Sequence, residues 1–402
     1  MPLRTLDTLE LSGQRVLVRA DLNVPLANGG VADETRIRAV VGTINDILEN
    51  GGVPVVLSHL GRPKGERDES LSQRVLAEPL SRALGGIRVE FGEDCIGKPA
   101  AEAIERVRKG QQPAVALLEN LRFHDGEKEN ADAFADALAE LGDVYVNDAF
   151  SAAHRAHASI VGLAQRLPSA AGRLMEQEIN ALITVLQERR RPFVALFGGA
   201  KVGTKFGALA ALVEKTDVVG LGGGMANTVL HAQGTDVGAS LYEADEADAA
   251  RDLLQRAEKA GCEVIVPTDA VAAPSLEEPT ASRIVVLDEL PQDWMILDLG
   301  PASTADIADR IERARTVVWN GPLGAAENPH FETATRTIAE AIAERSRQGE
   351  LTSVVGGGDT VAVLERMGVL NGFTHVSLAG GAFLEWLQGK ELPGVAVLRS
   401  EG

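Results

Sequence analysis

The alternation of short β-rich runs with longer segments of helical spacing limits the folds open to this chain more than any other feature. Parallel sheets that are covered on both faces have strands of this kind, apolar on both sides and joined by helices. The pattern therefore predicts an α/β fold with two doubly wound parallel-sheet domains. The predicted strands are RVLVR (15–19), VPVVLS (53–58), AVALL (114–118), DVYVN (143–147), FVALF (193–197), DVVGL (217–221), EVIVP (263–267), IVVL (284–287), TVVWN (316–320) and TSVVG (352–356).

A long amphipathic segment at 173–190 separates the two groups of strands. Pro168 and Gly172 precede it, as is usual at the start of a helix, so we place the domain boundary within 165–185. A chain of 402 residues is long enough for two domains, each with its own core.

The net charge of −19 argues against nucleic acid and anionic membrane surfaces as partners. No apolar run approaches the ~18 residues that a membrane span needs, and the first residues lack the order of a signal peptide. Cys95 and Cys262 are far apart and show no metal-ligand spacing, which argues against disulfides and thiolate zinc sites. We therefore expect a cytoplasmic protein.

Cationic and amide side chains follow the predicted strands of the first half. In open α/β sheets, ligands bind beyond the carboxyl ends of the strands, so these side chains are expected to converge. Guanidinium groups match planar and tetrahedral oxyanions, and the set predicts a pocket for a phosphate and a carboxylate. The residues are Asp21, Asn23, His59, Arg62, Arg122 and Arg155, with Arg36 opening the first helix. His154 and His157 have no third ligand nearby in the sequence, and we do not interpret them as a metal pair.

Glycine-rich turns follow three strands of the second half, and each turn leads into a helix: 198–205, 222–227 and 356–360. Glycine lets the backbone approach a ligand closely, and the free amides of a helix N-terminus attract phosphate. The turns match neither the Walker A motif nor the GxGxxG fingerprint. Three of them in one sheet nevertheless indicate a nucleotide site.

These motifs together resemble the phosphoglycerate kinase family over nearly the whole chain. The matching segments occur in the family's order and approximate spacing: RADLNVP (19–25), TRI (35–37), SHLGRP (58–63), LENLRF (118–123), AHRAHAS (153–159), GGAKVGTK (198–205), GGGMANT (222–228), WNGPLG (319–324) and GGGDT (356–360). The resemblance implies reversible phosphoryl transfer from 1,3-bisphosphoglycerate to ADP, giving 3-phosphoglycerate and ATP in glycolysis and gluconeogenesis. It also implies a monomer whose two domains face each other across a cleft.

The resemblance further implies that residues 1–170, joined by the tail at about 388–402, form a 3-phosphoglycerate-binding domain, and that 171–387 form a nucleotide-binding domain. The first would bind its substrate through Asp21, Asn23, Arg36, His59, Arg62, Arg122 and Arg155. The second would bind ADP or ATP through Gly199, Lys205, Gly223, Glu327, Gly357, Gly358, Asp359 and Thr360, and Asp359 would also hold Mg²⁺.

The chemistry of this reaction accounts for the residue types. A carboxylate that accepts a phosphoryl group is already ionised at neutral pH, so no general base is required. The transferred group spreads negative charge over its oxygens, and we expect Arg36, Lys201 and Lys205 to be the catalytic residues that stabilise it. Half-sites on different domains imply in-line transfer after domain closure, which would exclude water.

Two segments depart from the family's pattern, both near the expected nucleotide site. GVFE is replaced by Gly324-Ala325-Ala326-Glu327, and the loss of the phenylalanine removes an apolar wall worth roughly 1–2 kcal/mol. STGGGA is replaced by a segment containing Leu378 and Ala379, and Ala379 would be strained if that position needs a positive φ.

Two other interpretations remain open. A catalytically silent binding protein would be expected to lose the cations that handle the phosphoryl group, yet these are present. A dinucleotide-dependent oxidoreductase would fit the sheet pattern but needs the missing GxGxxG motif.

Overall fold

The computed structural model describes residues 3–188 and 190–399. Its strands are β1 (Arg15–Arg19), β2 (Leu26–Ala27), β3 (Gly30–Val31), β4 (Val53–Leu57), β5 (Arg88–Phe91), β6 (Ala114–Leu117), β7 (Val144–Asn147), β8 (Ser169–Ala171), β9 (Phe193–Phe197), β10 (Val218–Leu221), β11 (Glu263–Ile265), β12 (Asp269–Ala273), β13 (Arg283–Val286), β14 (Met295–Leu299), β15 (Thr316–Asn320), β16 (Thr352–Gly356) and β17 (His375–Ser377). Its helices are α1 (Thr35–Glu49), α2 (Ala77–Ala83), α3 (Gly97–Arg108), α4 (Asp132–Ala139), α5 (Arg173–Leu186), α6 (Gly203–Leu212), α7 (Gly223–Ala232), α8 (Ala247–Ala260), α9 (Pro301–Arg313), α10 (Thr333–Arg347), α11 (Gly358–Arg366), α12 (Gly381–Leu387) and α13 (Pro393–Ala396).

The chain divides into two compact units. One comprises Met1–Ile179 together with Glu391–Gly402, and the other comprises Asn180–Lys390, so the division lies within α5. The domain bounds expected from the sequence include residues 1, 2, 189 and 400–402, which lie outside the described residues. In the two described segments, no helix has both the length and the apolar character that crossing a membrane requires.

The first unit is built on a six-stranded sheet in the order β5-β6-β4-β1-β7-β8, and all neighbouring strands are parallel. In this sheet β1 lies between β4 and β7. The side chains of α1 that face this sheet repeat at helical spacing, since Ile37, Val40, Ile44 and Ile47 are all buried. Because β1 pairs parallel with both β4 and β7, the carboxyl ends of these three strands lie side by side.

The second unit contains a six-stranded parallel sheet in the order β11-β10-β9-β15-β16-β17. Numbered along the chain, this is the doubly wound order 3-2-1-4-5-6, and the winding reverses between β9 and β15. Trp319 on β15 is fully buried, as are Ile338 and Ile342 of α10 in the same core cluster. The two parallel sheets confirm the predicted fold class.

The run at 284–287 does not belong to the second parallel sheet, contrary to the prediction. Its strand, β13, pairs antiparallel with β12, which also pairs antiparallel with β14. The connection from β12 to β13 contains only a short 3₁₀ turn at Pro279–Ala281. A parallel pair needs a crossover of about a dozen residues, so this short connection gives an antiparallel pair.

Candidate active site

The Asp21 side chain, just after β1, contacts Arg36 in the first turn of α1. Its Oδ2 accepts hydrogen bonds from Arg36 and from Ser151, and its Oδ1 accepts the backbone N–H of Asn23 at 3.1 Å. Burial alone would raise the pKa of Asp21, but the neighbouring charge of Arg36 and the hydrogen bond from Ser151 help to lower it below its ordinary value. Asp21 is therefore ionised and holds the Arg36 guanidinium at the carboxyl edge of the sheet.

A fully buried arginine, Arg19, lies beneath this edge. Its Nε donates to Ser159 Oγ at 2.8 Å, and Ser159 in turn donates to Glu127 through its Oγ at 2.6 Å and its N–H at 2.9 Å. Burial would raise the pKa of Glu127, but its contact with His157 and the charge of Arg19 lower it. A buried charge needs such compensation, and Glu127 supplies the negative charge that Arg19 requires.

His59 and Arg122 share this cationic environment. Burial, and then the charge of Arg19, hold the pKa of His59 well below its ordinary value, so the ring is neutral at physiological pH. Burial lowers the pKa of Arg122 to about 10, and repulsion from Arg19 and Arg155 adds to the shift. Arg122 Nη1 donates to the Gly61 carbonyl at 3.0 Å, whereas its buried Nε has no hydrogen-bond partner among the described residues. Uncompensated positive charge of this kind favours an anion.

Arg62 and Arg155 are both exposed. The charge of Arg155 helps to lower the pKa of both His59 and Arg122, so this guanidinium lies near the buried pair. In the described part of the chain, the Arg62 side chain makes no hydrogen bond or ion pair. The Arg155 side chain makes one hydrogen bond there, from its Nε to His154 Nε2 at 3.1 Å. Asn23 Oδ1 accepts the N–H of Gly61 at 2.8 Å, which ties the loop carrying Arg62 to the loop after β1. Hydrogen bonds and electrostatic interactions thus link six of the seven predicted side chains: Asp21, Asn23, Arg36, His59, Arg122 and Arg155. The seventh, Arg62, follows Gly61 in the same loop, and no described contact joins its side chain to the others.

In the second unit, the glycine turns after β9, β10 and β15 touch one another. Gly198 donates to the Asn320 carbonyl at 3.0 Å, and Gly223 donates to the Leu323 carbonyl at 2.9 Å. Gly223 has a φ of +54°, and a Cβ on it would lie 3.0 Å from the Gly199 nitrogen. Only glycine allows these backbones to approach so closely.

Lys205 lies against the first of these turns, because its Nζ donates to the Gly198 carbonyl at 2.5 Å. Burial lowers the pKa of Lys205 to about 8, an effect that the charge of Asp359 opposes and that of Lys201 reinforces. The ammonium of Lys205 is therefore within electrostatic range of the Lys201 ammonium, which is exposed, and of the Asp359 carboxylate.

The turn after β16 connects with the same edge. Thr360 Oγ1 accepts the N–H of Gly321 at 2.7 Å, and Asn320 Nδ2 donates to the Gly356 carbonyl at 3.0 Å. A Cβ on Gly358 would meet no atom within 4 Å, so the start of α11 is open. Asp359 is exposed, and its carboxylate makes no hydrogen bond or ion pair with the described residues. Glu327 is also exposed, on the loop that follows β15, and no described contact joins it to these turns.

The start of α6 differs from the expectation that all three helices offer free amides. The Glu243 carboxylate accepts the N–H of Val202 at 2.9 Å and that of Gly203 at 3.0 Å. These two amides are therefore already satisfied by a side chain of the same unit.

The two departures from the family's motifs are accommodated without backbone strain. In the segment after β17, the residue with a positive φ is Gly380, at 51°, and Ala379 is not among the non-glycine residues with positive φ. Ala326 is fully buried, and Ala325 packs against a small cluster that contains Leu297 and Phe331.

Sequence reasoning did not select Arg19, Glu127 or Glu243. The signal for Arg19 was its position at the buried end of the strand RVLVR, since a charged side chain is rarely buried without a partner. No local signal distinguishes Glu127 or Glu243 from other acidic residues.

One further group of ligand-type side chains lies in the first unit. Ligand atoms of Asp94, Cys95 and His124 lie within 4.8 Å of one another, although the sequence spacing gave no sign of it. His124 Nε2 and Asp94 Oδ1 are hydrogen-bonded to each other at 2.7 Å.

The sequence matches a known protein family over most of its length. The sequence profile described as Phosphoglycerate kinase matches residues 6–390. The chain belongs to the phosphoglycerate kinase family. Membership gives it the family's kinase activity, phosphoryl transfer between 1,3-bisphosphoglycerate and ADP, and a role in glycolysis.

Similar phosphoglycerate kinases come from several organisms. The protein of Xanthobacter autotrophicus (strain ATCC BAA-1158 / Py2) is 53% identical over 396 residues, covering 98% of this chain and 99% of its own. That of Cereibacter sphaeroides (strain ATCC 17025 / ATH 2.4.3) is 51% identical over 395 residues, with the same coverage. Among solved structures, phosphoglycerate kinase from Coxiella burnetii has a TM-score of 0.86 at 37% identity, covering 99% of both chains. The enzyme from Pyrococcus horikoshii OT3 has a TM-score of 0.85 at 30% identity, covering 98% of both.

Proposed function

We propose that the strand ends of the first unit bind the 3-phosphoglycerate part of the substrates. The observation that carries this assignment is the mutual repulsion of Arg19, Arg122 and the exposed Arg155 at one edge of the sheet, in a chain of net charge −19. Arg62 is exposed in the neighbouring loop after β4. In an acidic protein, such a concentration of positive charge favours a small anion. Asp21, Asn23, Arg36 and His59 complete the proposed substrate contacts.

The glycine turns of the second unit are the proposed nucleotide site. Their close packing leaves little room for side chains, so the backbone itself can line a flat base or a phosphate. Lys205 and the open N-terminus of α11 supply positive potential for the phosphates. The proposed nucleotide ligands are Gly199, Lys205, Gly223, Glu327, Gly357, Gly358, Asp359 and Thr360.

Asp359 is the proposed protein ligand of Mg²⁺. Its carboxylate is exposed and unpaired in the described residues, which suits an ion that keeps waters and phosphate oxygens as its other ligands. When bound with nucleotide, Mg²⁺ would offset negative charge on the phosphate oxygens.

The proposed mechanism is direct in-line transfer after domain closure. The carboxylate of 3-phosphoglycerate needs no proton removed, so the protein's task is alignment and charge stabilisation. Arg36 is held in place by Asp21, and Lys205 is held by the Gly198 carbonyl. These two, with Lys201, would stabilise the charge that spreads over the transferred group.

The remaining proposals concern the setting of the enzyme. We propose a cytoplasmic protein that is a monomer, as the family resemblance implies. The strong negative charge argues against nucleic acid and anionic membrane surfaces as partners.

A coupled assay for ATP formation from 1,3-bisphosphoglycerate and ADP tests the site assignments. In this assay Arg62→Ala should raise the KM for 1,3-bisphosphoglycerate much more than the KM for ADP, whereas Lys205→Ala should leave the KM for 1,3-bisphosphoglycerate near the wild-type value. A silent binding protein would give no ATP at all. Equal effects of both substitutions on both substrates would contradict the assignment of one substrate to each unit.

A further inference from the structure

Glu243 lies in the short segment between α7 and α8, forty residues away from the turn that it contacts. Its two carboxylate oxygens each accept one backbone N–H at the start of α6, from Val202 at 2.9 Å and from Gly203 at 3.0 Å. The same turn carries Lys201 on one side and Lys205 on the other. A bidentate, charge-assisted contact of this kind is stronger than one between neutral groups.

Glu243 and the segment before it are themselves hydrogen-bonded to α7, the helix that follows the second glycine turn. Its N–H donates to Thr228 Oγ1 at 3.0 Å, and Thr228 Oγ1 donates to the Gly224 carbonyl at 2.8 Å. Asn227 Nδ2 donates to the Leu241 carbonyl at 3.0 Å, which fixes the segment just before Glu243. The carboxylate therefore links the start of α6 to α7 through residues that are themselves hydrogen-bonded.

The backbone of Val202 is constrained on both sides. Its N–H donates to Glu243, and its carbonyl accepts the N–H of Lys205 at 2.9 Å. A change in the backbone orientation at Val202 would rotate the first turn of α6 and move the Lys205 ammonium away from the Gly198 carbonyl.

Glu243 also determines where an anion cannot bind. Both amides are used, so a phosphate could hydrogen-bond to them only by displacing the carboxylate. Gly203 has no room for a side chain in this arrangement, since a Cβ would lie 2.5 Å from Glu246 Oε1. The charged groups that the turn offers to an anion are then the two lysine side chains.

We infer that Glu243 is a positioning residue of the nucleotide half-site: its carboxylate fixes the start of α6 so that Lys201 and Lys205 meet the nucleotide phosphates. The inference rests on the proposed nucleotide role of the lysines. It assigns no contact between Glu243 and the substrate.

Steady-state kinetics of Glu243→Ala and Glu243→Gln in the full chain test this inference. Displacement of a reacting group by about 1 Å can lower a rate about 100-fold, so Glu243→Ala should lower kcat/KM for ADP at least tenfold. Glu243→Gln keeps one acceptor oxygen and should lose less. The KM for the phosphoglycerate substrate should stay within twofold for both variants. Asp245→Ala is the matched control, because it removes an exposed carboxylate two residues away and should stay within twofold throughout.

A double-mutant cycle with Lys205→Ala separates the inference from the function on which it rests. If Glu243 acts through Lys205, Glu243→Ala should have little further effect in the Lys205→Ala background. Fully additive losses would overturn the inference, as would an equal loss toward both substrates with a collapsed thermal midpoint. Tighter ADP binding in Glu243→Ala would also overturn it, since the carboxylate would then merely repel the phosphates. If Lys205→Ala leaves nucleotide kinetics unchanged, the proposed nucleotide site itself fails.

Discussion

Nη2 of Arg19 donates a hydrogen bond to Nδ1 of His59 over 3.0 Å, between the carboxyl ends of β1 and β4. A guanidinium has no acceptor atom, so Nδ1 of His59 must be unprotonated. This requirement agrees with the direction in which burial and Arg19 move the pKa of His59, well below 6.5. The neutral ring then carries its proton on Nε2, as a donor.

The His59 environment predicts how stability depends on pH. Below about pH 6.5 the histidine binds a proton in the unfolded chain but not in the folded one, so falling pH favours unfolding by up to about 1.4 kcal/mol for each pH unit. Thermal midpoints between pH 5 and 8 should therefore fall less steeply for His59→Gln than for the wild type. His330→Gln, at an exposed site, serves as the control. Parallel curves for the wild type and His59→Gln would refute the prediction.

The exposed arginines predict a substrate-specific effect. Charge-assisted hydrogen bonds contribute about 1.5–3 kcal/mol, so Arg62→Ala or Arg155→Ala should raise the KM for 3-phosphoglycerate roughly tenfold to hundredfold. The KM for ATP should change much less. Arg108→Ala removes an exposed arginine of α3 and should leave both values near those of the wild type. Comparable shifts for the two substrates would exclude a specific role in binding 3-phosphoglycerate.

Periodicity identified the parallel sheets because most of their strands are short runs buried on both faces. It missed β5, β8 and β17, which have three or four residues each and lie at the edges of their sheets. It placed 284–287 in the wrong sheet, since periodicity reports burial and cannot identify the pairing partner. The connection between β12 and β13 is too short for a crossover helix, and this decides that the two strands pair antiparallel.

The motifs named the residues that reach the strand ends, but not the residues that support them. Arg19 is hidden because its partners, Ser159 and Glu127, come from segments more than a hundred residues away. Glu243 is hidden for the same reason, since it caps a helix that begins forty residues earlier. Contacts of this range depend on the packing of the fold, and local sequence patterns do not report them.

Asp148 predicts a second pH effect, of the opposite sign. Its Oδ1 accepts the N–H of Met175 in the first turn of α5 at 3.1 Å, while its buried Oδ2 has no hydrogen-bond partner in the described segments. Burial raises the pKa of Asp148 to about 6, from 3.8. The folded state therefore binds the proton more tightly, and this contribution to stability is lost as pH rises from about 4 through 6.

Asp148→Asn should remove this dependence. The amide keeps one acceptor oxygen and cannot ionise, so the variant should gain stability relative to the wild type as pH rises from 5 to 8, by up to about 1.4 kcal/mol. Asp136→Asn, on the exposed side of α4, is a suitable control. Thermal unfolding of the three proteins at matched pH values measures the effect. A constant difference between Asp148→Asn and the wild type would show that the carboxyl does not titrate in this range.

Lys205 and Arg36 predict a shared effect on turnover, although they belong to different units. If both stabilise the transferred phosphoryl group only in the transition state, Lys205→Met and Arg36→Met should each lower kcat and kcat/KM together. Comparable cations in phosphoryl transfer are worth about 10³ to 10⁵ in rate. Because the two residues would act on one charge, the double variant should lose less than the product of the single losses. Arg38→Met, an exposed arginine two residues from Arg36 on α1, should retain normal turnover. Near-normal turnover in Arg36→Met, or a change confined to KM in Lys205→Met, would mean that the residue only anchors its substrate in the ground state.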